Sequence, residues 1–305
     1  MTYWLLATIF AYLFFGVTSL CDKLVLGNKD QKSLKPNAYA FYVSIFGLSS
    51  ILIIPFINFG FPSLVALFWI ILDAIVHIVA IYAMYVALQK FEVSKVIPTI
   101  GATQSIFIFI LTPLFWPAQT MLPIDILAFV LLLLGSIVIS VEKNIKITAD
   151  FLKITLFSAL MFALDYICLK FIFSSQPFLH GVVWIMLFLF LFSLVFLIKK
   201  SSRKEIFEKQ TVSDKKNQLL FLGAQVAGGA GNLLQSFAIY LAPVAFLAIV
   251  NSLKGIQYVF LFIVAFFISY FYPKILKEQL SKKIVIQKLV SIVFIVAGLA
   301  ILVAK

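Results

Sequence analysis

Long unbroken apolar runs, separated by short clusters of charge, Pro or Gly, occupy nearly all of the 305-residue chain. Ten lie near 3–26, 38–59, 64–88, 94–116, 122–141, 151–173, 178–198, 218–241, 243–272 and 284–304. Each approaches the roughly 20 residues that a helix needs to cross a ~30 Å hydrocarbon core. The runs are continuous and not alternating, unlike the period-two pattern of a β-barrel. The expected fold is an all-α membrane protein with ten transmembrane helices. The longest polar stretch, KKSSRKEIFEKQTVSDKKN at 199–217, shows no periodic apolar face and reads as a solvated connection. No basic segment precedes the first run and no small-residue cleavage site follows it, so no cleavable signal peptide is expected.

Composition agrees with this pattern. The chain is 63% hydrophobic and 12% charged, whereas a soluble domain is about half apolar and about a quarter charged. So few charges cannot build a polar surface. Two cysteines and two histidines exclude a disulfide framework, a four-cysteine zinc site and a histidine-rich metal cluster; no cofactor is expected. The net charge of +12 is a matter of topology. Of the 24 basic residues, 21 follow runs 1, 3, 5, 7 and 9, whereas the opposite loops at 60–63, 117–123 and 174–181 carry none. By the positive-inside rule the basic side is cytoplasmic and both termini lie outside. The basic loop lacks the interleaved aromatics of a single-strand binder, so no nucleic-acid partner is expected. The bilayer is the main partner, in a multi-pass protein of the cytoplasmic membrane, as monomer or homodimer.

The chain also repeats itself. Run 1 ends in F-x5-C-x-K from Phe15 through Cys21 to Lys23, and run 6 does the same from Phe162 through Cys168 to Lys170. YVALQKFEV at 85–93 is similar to SFAIYLAPV at 236–244, and Gly135 and Gly298 sit alike in runs 5 and 10. The repeats would be 1–146 and 147–305, with five spans each. An odd number of spans inverts the second copy, a construction of secondary transporters with a substrate site near the midplane. Cys21 and Cys168 themselves read as small packing residues.

Two segments, IYAMYVALQKFEVSKVIPTIGATQSIFIFILTPLF at 81–115 and ILKEQLSKKIVIQKLVSIVFIVAGLAILVAK at 275–305, carry a resemblance. With the order and spacing of the other runs, they resemble the drug/metabolite transporter superfamily, in particular its EamA-type branch. Gln119 stands where that family often has a loop glutamate, and the loop around Glu278 is longer than usual. The resemblance implies a ten-helix carrier of small organic solutes, usually an exporter, with its cavity lined by helices 1, 3, 4, 6, 8 and 9. It also implies cytoplasmic termini, opposite to the lysine distribution.

An ionisable group deep in a membrane is costly unless paired or hydrated, and so marks candidate function. Lys254 is the sharpest, in NSLKGIQY well inside run 9. Asn251, Lys254 and Gln257 stand three apart and share a polar face, and Gly255 allows close approach to the backbone. Lys254 reads either as a substrate group for an anion or as half of a buried ion pair with Asp165 in run 6. Asp73 and His77 lie one helical turn apart in run 3 and suggest proton coupling, or else an interhelical hydrogen bond. In run 8, QVAGGAGNLLQ supplies Gln225, Asn232 and Gln235 as neutral donors and acceptors, and Gln104 in run 4 is similar. The glycines between them read as packing residues. Asp22 and Lys23 would neutralise each other at the interface, and Tyr12, Tyr82 and Tyr240 are candidate aromatic walls.

No G-x-x-x-x-G-K-[ST], H-E-x-x-H or G-x-S-x-G motif appears, so neither an ATP motor nor an enzyme is expected. The leading expectation is a secondary carrier, probable exporter by the family's habit, of a small polar or amphipathic metabolite by alternating access, with protons as a coupling partner. The alternatives are a flippase for a lipid-linked substrate and, from another class, a non-transporting intramembrane enzyme or assembly partner.

Overall fold

The computed structural model describes residues 3–26, 41–42, 44–45, 47–91, 93–140, 148–207, 215–271 and 282–304. Eleven α-helices are complete among the described residues: α1 (Tyr3–Leu26), α2 (Leu64–Lys90), α3 (Val93–Phe115), α4 (Pro123–Ser140), α5 (Ala149–Ser175), α6 (Phe178–Ser193), α7 (Lys200–Phe207), α8 (Lys215–Leu241), α9 (Leu247–Ser252), α10 (Gly255–Phe271) and α11 (Lys282–Val303). Among the described residues there is no strand. Eight segments are long and apolar enough to cross a membrane: Tyr3–Cys21, Leu64–Lys90, Lys95–Phe115, Pro123–Ser140, Ala149–Ser175, Phe178–Leu197, Val244–Val264 and Ile284–Val303. Large apolar side chains cover the outside, with Phe61 94% and Leu64 86% exposed. Their burial requires lipid, and the chain is a multi-pass membrane protein.

Four expectations need correction. The run at 38–59 is not one α-helix: Leu48–Phe56 is a 3-10 helix containing Pro55, which has no N–H for an α-helical bond. The described residues before it, 41–42, 44–45 and 47, are α-helical, and residues 38–40, 43 and 46 of that run lie outside the described residues. The run at 218–241 does form α8, but QVAGGAGNLLQ leaves it less apolar than the eight spans. The stretch 199–217 is not only a connection, because α7 occupies Lys200–Phe207 and starts a face the sequence pattern hid. Its Ile206 is fully buried beside Phe41, Leu194 and Leu197, and Tyr42 donates to the Ile206 carbonyl at 2.7 Å. The run at 243–272 is broken between α9 and α10 at Leu253–Lys254. The sequence features at Lys29, Lys32, Lys35, Lys143, Lys146, Lys209, Lys274, Lys277 and Glu278 lie outside the described residues, as do the side chains of Asp22 and Lys23.

The chain forms two compact units, and each draws on both the N-terminal and the C-terminal half of the sequence. Unit 1 is Met1–Lys29, Pro117–Asn144 and Val212–Lys305. Within it α1 packs on α8 and α10, and α4 packs on α11, α10 and α9. Small residues set these distances. A Cβ on Gly231 would lie 2.8 Å from the Phe15 ring, one on Gly135 would lie 2.6 Å from Ile295 Cγ1, and one on Gly298 would lie 2.8 Å from Leu132 Cγ. The two glycines that the repeat placed alike thus line one seam, α4 against α11, from opposite sides. Ser291 donates to the Gly135 carbonyl at 2.7 Å and Gln287 to the Val138 carbonyl at 2.7 Å across it.

Unit 2 is Asp30–Trp116 and Ile145–Thr211. Here α5 packs on α2 and α3, and α2 also packs on α6. Ala87, Val96, Ile100, Phe151 and Ala159 form a buried cluster at one end. Ser158 donates to the Ala80 carbonyl at 3.0 Å, and at the far end Trp69 stacks on Phe171 with ring centroids 4.0 Å apart. These pairs run in opposite order along α2 and α5, so the helices are antiparallel. Thr148 caps α5 by accepting from the Phe151 amide at 3.2 Å. Thr148→Ala should cost about 1 kcal/mol, read as a lower thermal midpoint in detergent with no change in helical content.

The same three-helix motif recurs inside each unit. In unit 1 the first span of one repeat meets the third and fourth of the other, as α1 against α8 and α10; in unit 2, α5 meets α2 and α3 in the same roles. One detail recurs with it. Gln257 of α10 donates to the Phe15 carbonyl of α1 at 3.4 Å, and Gln104 of α3 donates to the Phe162 carbonyl of α5 at 3.3 Å. Phe15 and Phe162 are the first residues of the two F-x5-C-x-K signatures.

Candidate functional site

Unit 1 contains the break that holds Lys254. At this point the α-helical ladder tightens into three-residue turns: Lys254 N–H donates to the Asn251 carbonyl at 3.1 Å, and Gln257 N–H to the Lys254 carbonyl at 3.0 Å. Residues three apart eclipse in such turns, so Asn251, Lys254 and Gln257 stack on one side. A membrane tolerates a broken helix when neighbours satisfy the freed carbonyls. Tyr12 of α1 donates to the Asn251 carbonyl at 3.2 Å. Ser136 of α4 lies 2.9 Å from the Ser252 carbonyl and 2.8 Å from that of Leu132, between which its single proton is divided. A Cβ on Gly255 would sit 2.5 Å from Ser136 Oγ and 2.8 Å from Ile295 Cδ1. Glycine is therefore what lets α4 and α11 come up to the break.

The polar neighbours of Lys254 are mostly engaged. Gln257 is buried and donates to Ser19 Oγ at 3.0 Å as well as to the Phe15 carbonyl. Gln235 of α8 donates to the Tyr12 hydroxyl at 3.2 Å. Asn251 is buried, Gln225 is half-buried, and Asn232 faces outward from α8. Lys254 is half-buried, and among the described residues its ammonium meets no hydrogen-bond or ion-pair partner. The hydroxyl of Tyr258, one turn further on, is buried and without a partner among the described residues. A lysine at a helix break with no partner among the described residues, next to the first turn of α10, is suited to an anionic group.

Unit 2 contains a cluster of acids and an imidazole. The turn spacing does put Asp73 and His77 on one face of α2, but the carboxylate beside the imidazole is Asp165 of α5. His77 Nδ1 is 2.9 Å from Asp165 Oδ1. The face common to Asp73 and His77 is turned to α5, so an interhelical partner takes the imidazole. Asp165 therefore finds a partner within its own unit, whereas its expected partner Lys254 belongs to unit 1. Asp73 is 1% exposed, and neither of its oxygens meets a donor among the described residues. Gln104 is buried and tied to Phe162, whose ring stands edge-on to His77 with centroids 6.2 Å apart. Beyond Asp73, Phe171 is sandwiched between Trp69 at 4.0 Å and Trp116 at 4.2 Å. Cys168 is buried within electrostatic reach of both aspartates. Among the described residues no group of His, Cys, Asp and Glu is arranged to hold a metal.

Several of these groups escape a reading of the sequence alone. Ser19, Ser136 and Ser252 look like ordinary small residues of membrane helices, and Tyr258 is one aromatic among many. The spacing Trp69, Asp73, His77 is a signal of a continuous face, four residues at a time; its counterpart on α5 shows only once the helices are paired.

No protein-family model matches the chain, and no curated protein is similar to it in sequence. A crystal structure of another protein superposes with a TM-score of 0.67 at 12% identity, covering 97% of this chain and 94% of that one. At that identity the likeness establishes a shared fold.

Proposed function

We propose that the chain is a secondary transporter of the cytoplasmic membrane, built as two inverted five-span repeats. Its cargo is a small polar or amphipathic metabolite with an anionic group, moved by alternating access with protons as coupling ion, in the outward direction by analogy with the EamA-type branch it resembles. The observation that carries this reading is the broken helix at Lys254: the one lysine placed mid-span in Val244–Val264 stands at the start of α10 with no partner among the described residues. Discontinuous helices whose second half begins at the site are a construction of secondary carriers. The recurrent three-helix motif and its paired glutamines, Gln104 and Gln257, support the repeats. Asn251 and Gln257 are the neutral groups beside Lys254 at the break, Gln235 reaches it through Tyr12, and Asp73, His77 and Asp165 are the acid–base groups.

The test is thermal unfolding of the detergent-purified protein against amino acids, amines, organic acids and nucleosides, followed by flux of any hit into proteoliposomes. A ligand of the folded state stabilises it by about 2.7 kcal/mol at a hundredfold excess over Kd. Stabilisation by anionic members and flux of the same compounds is the expected result. Stabilisation by a lipid extract alone would replace the soluble cargo with a lipid-linked one.

A further inference from the structure

We infer that Asp73 and Asp165 form a proton-sharing pair in which Asp73 is the acid and Asp165 the anion, with His77 as the positioning group. The argument starts from a donor count. Asp165 is 5% exposed, and its Oδ1 lies 2.9 Å from His77 Nδ1. As the anion Asp165 can only accept, which places a proton on Nδ1. Asp73 is buried more completely, and as a carboxylate it would have two oxygens with no donor among the described residues. The antiparallel register of α2 and α5, fixed by Ala80 against Ser158, His77 against Asp165 and Trp69 against Phe171, brings it level with the carboxyl of Asp165.

Two carboxylates cannot satisfy one another, because both only accept. One proton resolves the contact: Asp73 O–H donates to Asp165, which then accepts from both sides. Charge leads to the same arrangement. On the helices packed here His77 of α2 lies against Asp165, α5 also carries the buried Cys168 and Lys170, and α3 contributes the neutral Gln104. Two adjoining carboxylates would place two like charges side by side inside a membrane, where each costs several kcal/mol unless paired; the shared proton removes one of them. A metal cation would need several more ligands, and among the described residues no group of His, Cys, Asp and Glu is arranged to supply them.

The ligand of this site is therefore one proton per chain. The pair lies on two helices of the same unit, and the aromatic stack of Trp69, Phe171 and Trp116 lies toward one end of the α2–α5 seam. That the bound proton is the coupling proton rests on the transport reading; that the pair binds it does not.

Infrared spectra of the purified protein test the pair without any cargo. In wild type labelled with carbon-13 aspartate, a carbonyl stretch of a protonated carboxyl at neutral pH should shift on transfer to heavy water. Asp73→Asn should lose that band, since its amide donates to Asp165 in place of the acid. Asp165→Asn should keep the band at an altered frequency, and His77→Gln should keep it at full intensity. Absence of the band in wild type, its survival in Asp73→Asn, or its loss in Asp165→Asn alone would overturn the assignment. So would its removal by sodium in place of choline. In proteoliposomes Asp73→Asn should lose acceleration by a pH gradient and retain exchange at equal pH. If no solute moves while the band behaves as described, the transport reading fails and the pair stands.

Discussion

Lys254→Met is expected to abolish net transport while leaving the protein at least as stable as the wild type. The two effects separate because Lys254 is costly where it is: insertion of a lysine at the centre of a span disfavours the membrane state by roughly 2.5–3.5 kcal/mol. No partner among the described residues offsets this. Methionine keeps the length of the stem and fills the same space. The break itself should persist, since its carbonyls are held by Tyr12 and Ser136 and its approach by Gly255. The checks are proteoliposome flux of whichever solute stabilises the wild type, and thermal unfolding of both proteins. A merely structural lysine would give the opposite pattern, unchanged flux with altered stability. Full flux in the variant would sink the role assigned to it.

Gly135→Leu should have the largest effect on stability. Its first added atom already falls 2.6 Å from Ile295 Cγ1 and 3.1 Å from the Ser291 carbonyl. The backbone oxygen cannot rotate away, so α4 and α11 must separate. Overpacking of this kind costs about 1–3 kcal/mol, and parting the helices also strains the hydrogen bonds from Ser291 and Gln287. Gly298→Leu meets Leu132 and the Ala128 carbonyl in the same seam and should act alike. Combined, the two should cost less than their sum, because the first separates the helices for the second. Gly60→Ala, which meets nothing within 4 Å, is the control. Thermal midpoints that do not distinguish Gly135→Leu from that control would show that the seam is loose.

Much of this architecture was legible in the chain, for identifiable reasons. Eight apolar runs became spans of nearly the expected bounds because length and apolarity alone decide whether a helix crosses a bilayer. Lys254 stood out because charge in such a run is rare. The break beside it was invisible: VNSLKGIQYVF has no proline, and the distortion depends on hydroxyls from Tyr12 and Ser136, far away in sequence. That His77 meets Asp165 of α5 was hidden for the same reason, since spacing along α2 leaves an interhelical partner open but does not name it. The repeat, by contrast, explains what it fails to repeat. Aligning Gln104 with Gln257 sets Lys254 against Gly101, and aligning Phe162 with Phe15 sets Asp165 against Thr18. The glutamines that hold the frame occur twice, and the charged groups assigned a function occur once.

The mixed parentage of the two units bears on how the protein is made. Unit 2 is complete once Thr211 has been synthesised, because every helix it uses precedes that residue. Unit 1 is not: α1 is the first helix to emerge, yet α8 and α10, the helices it packs against, are among the last. During most of translation α1 and α4 therefore wait in the bilayer with Gly16, Gly135 and the Tyr12 hydroxyl uncovered. Contacts of such long sequence separation form late. A nascent chain of this protein passes through a stage in which one unit is assembled and the helices of the other still lack the segments that will cover them, and that is the stage at which a membrane chaperone or a degradation enzyme would meet it.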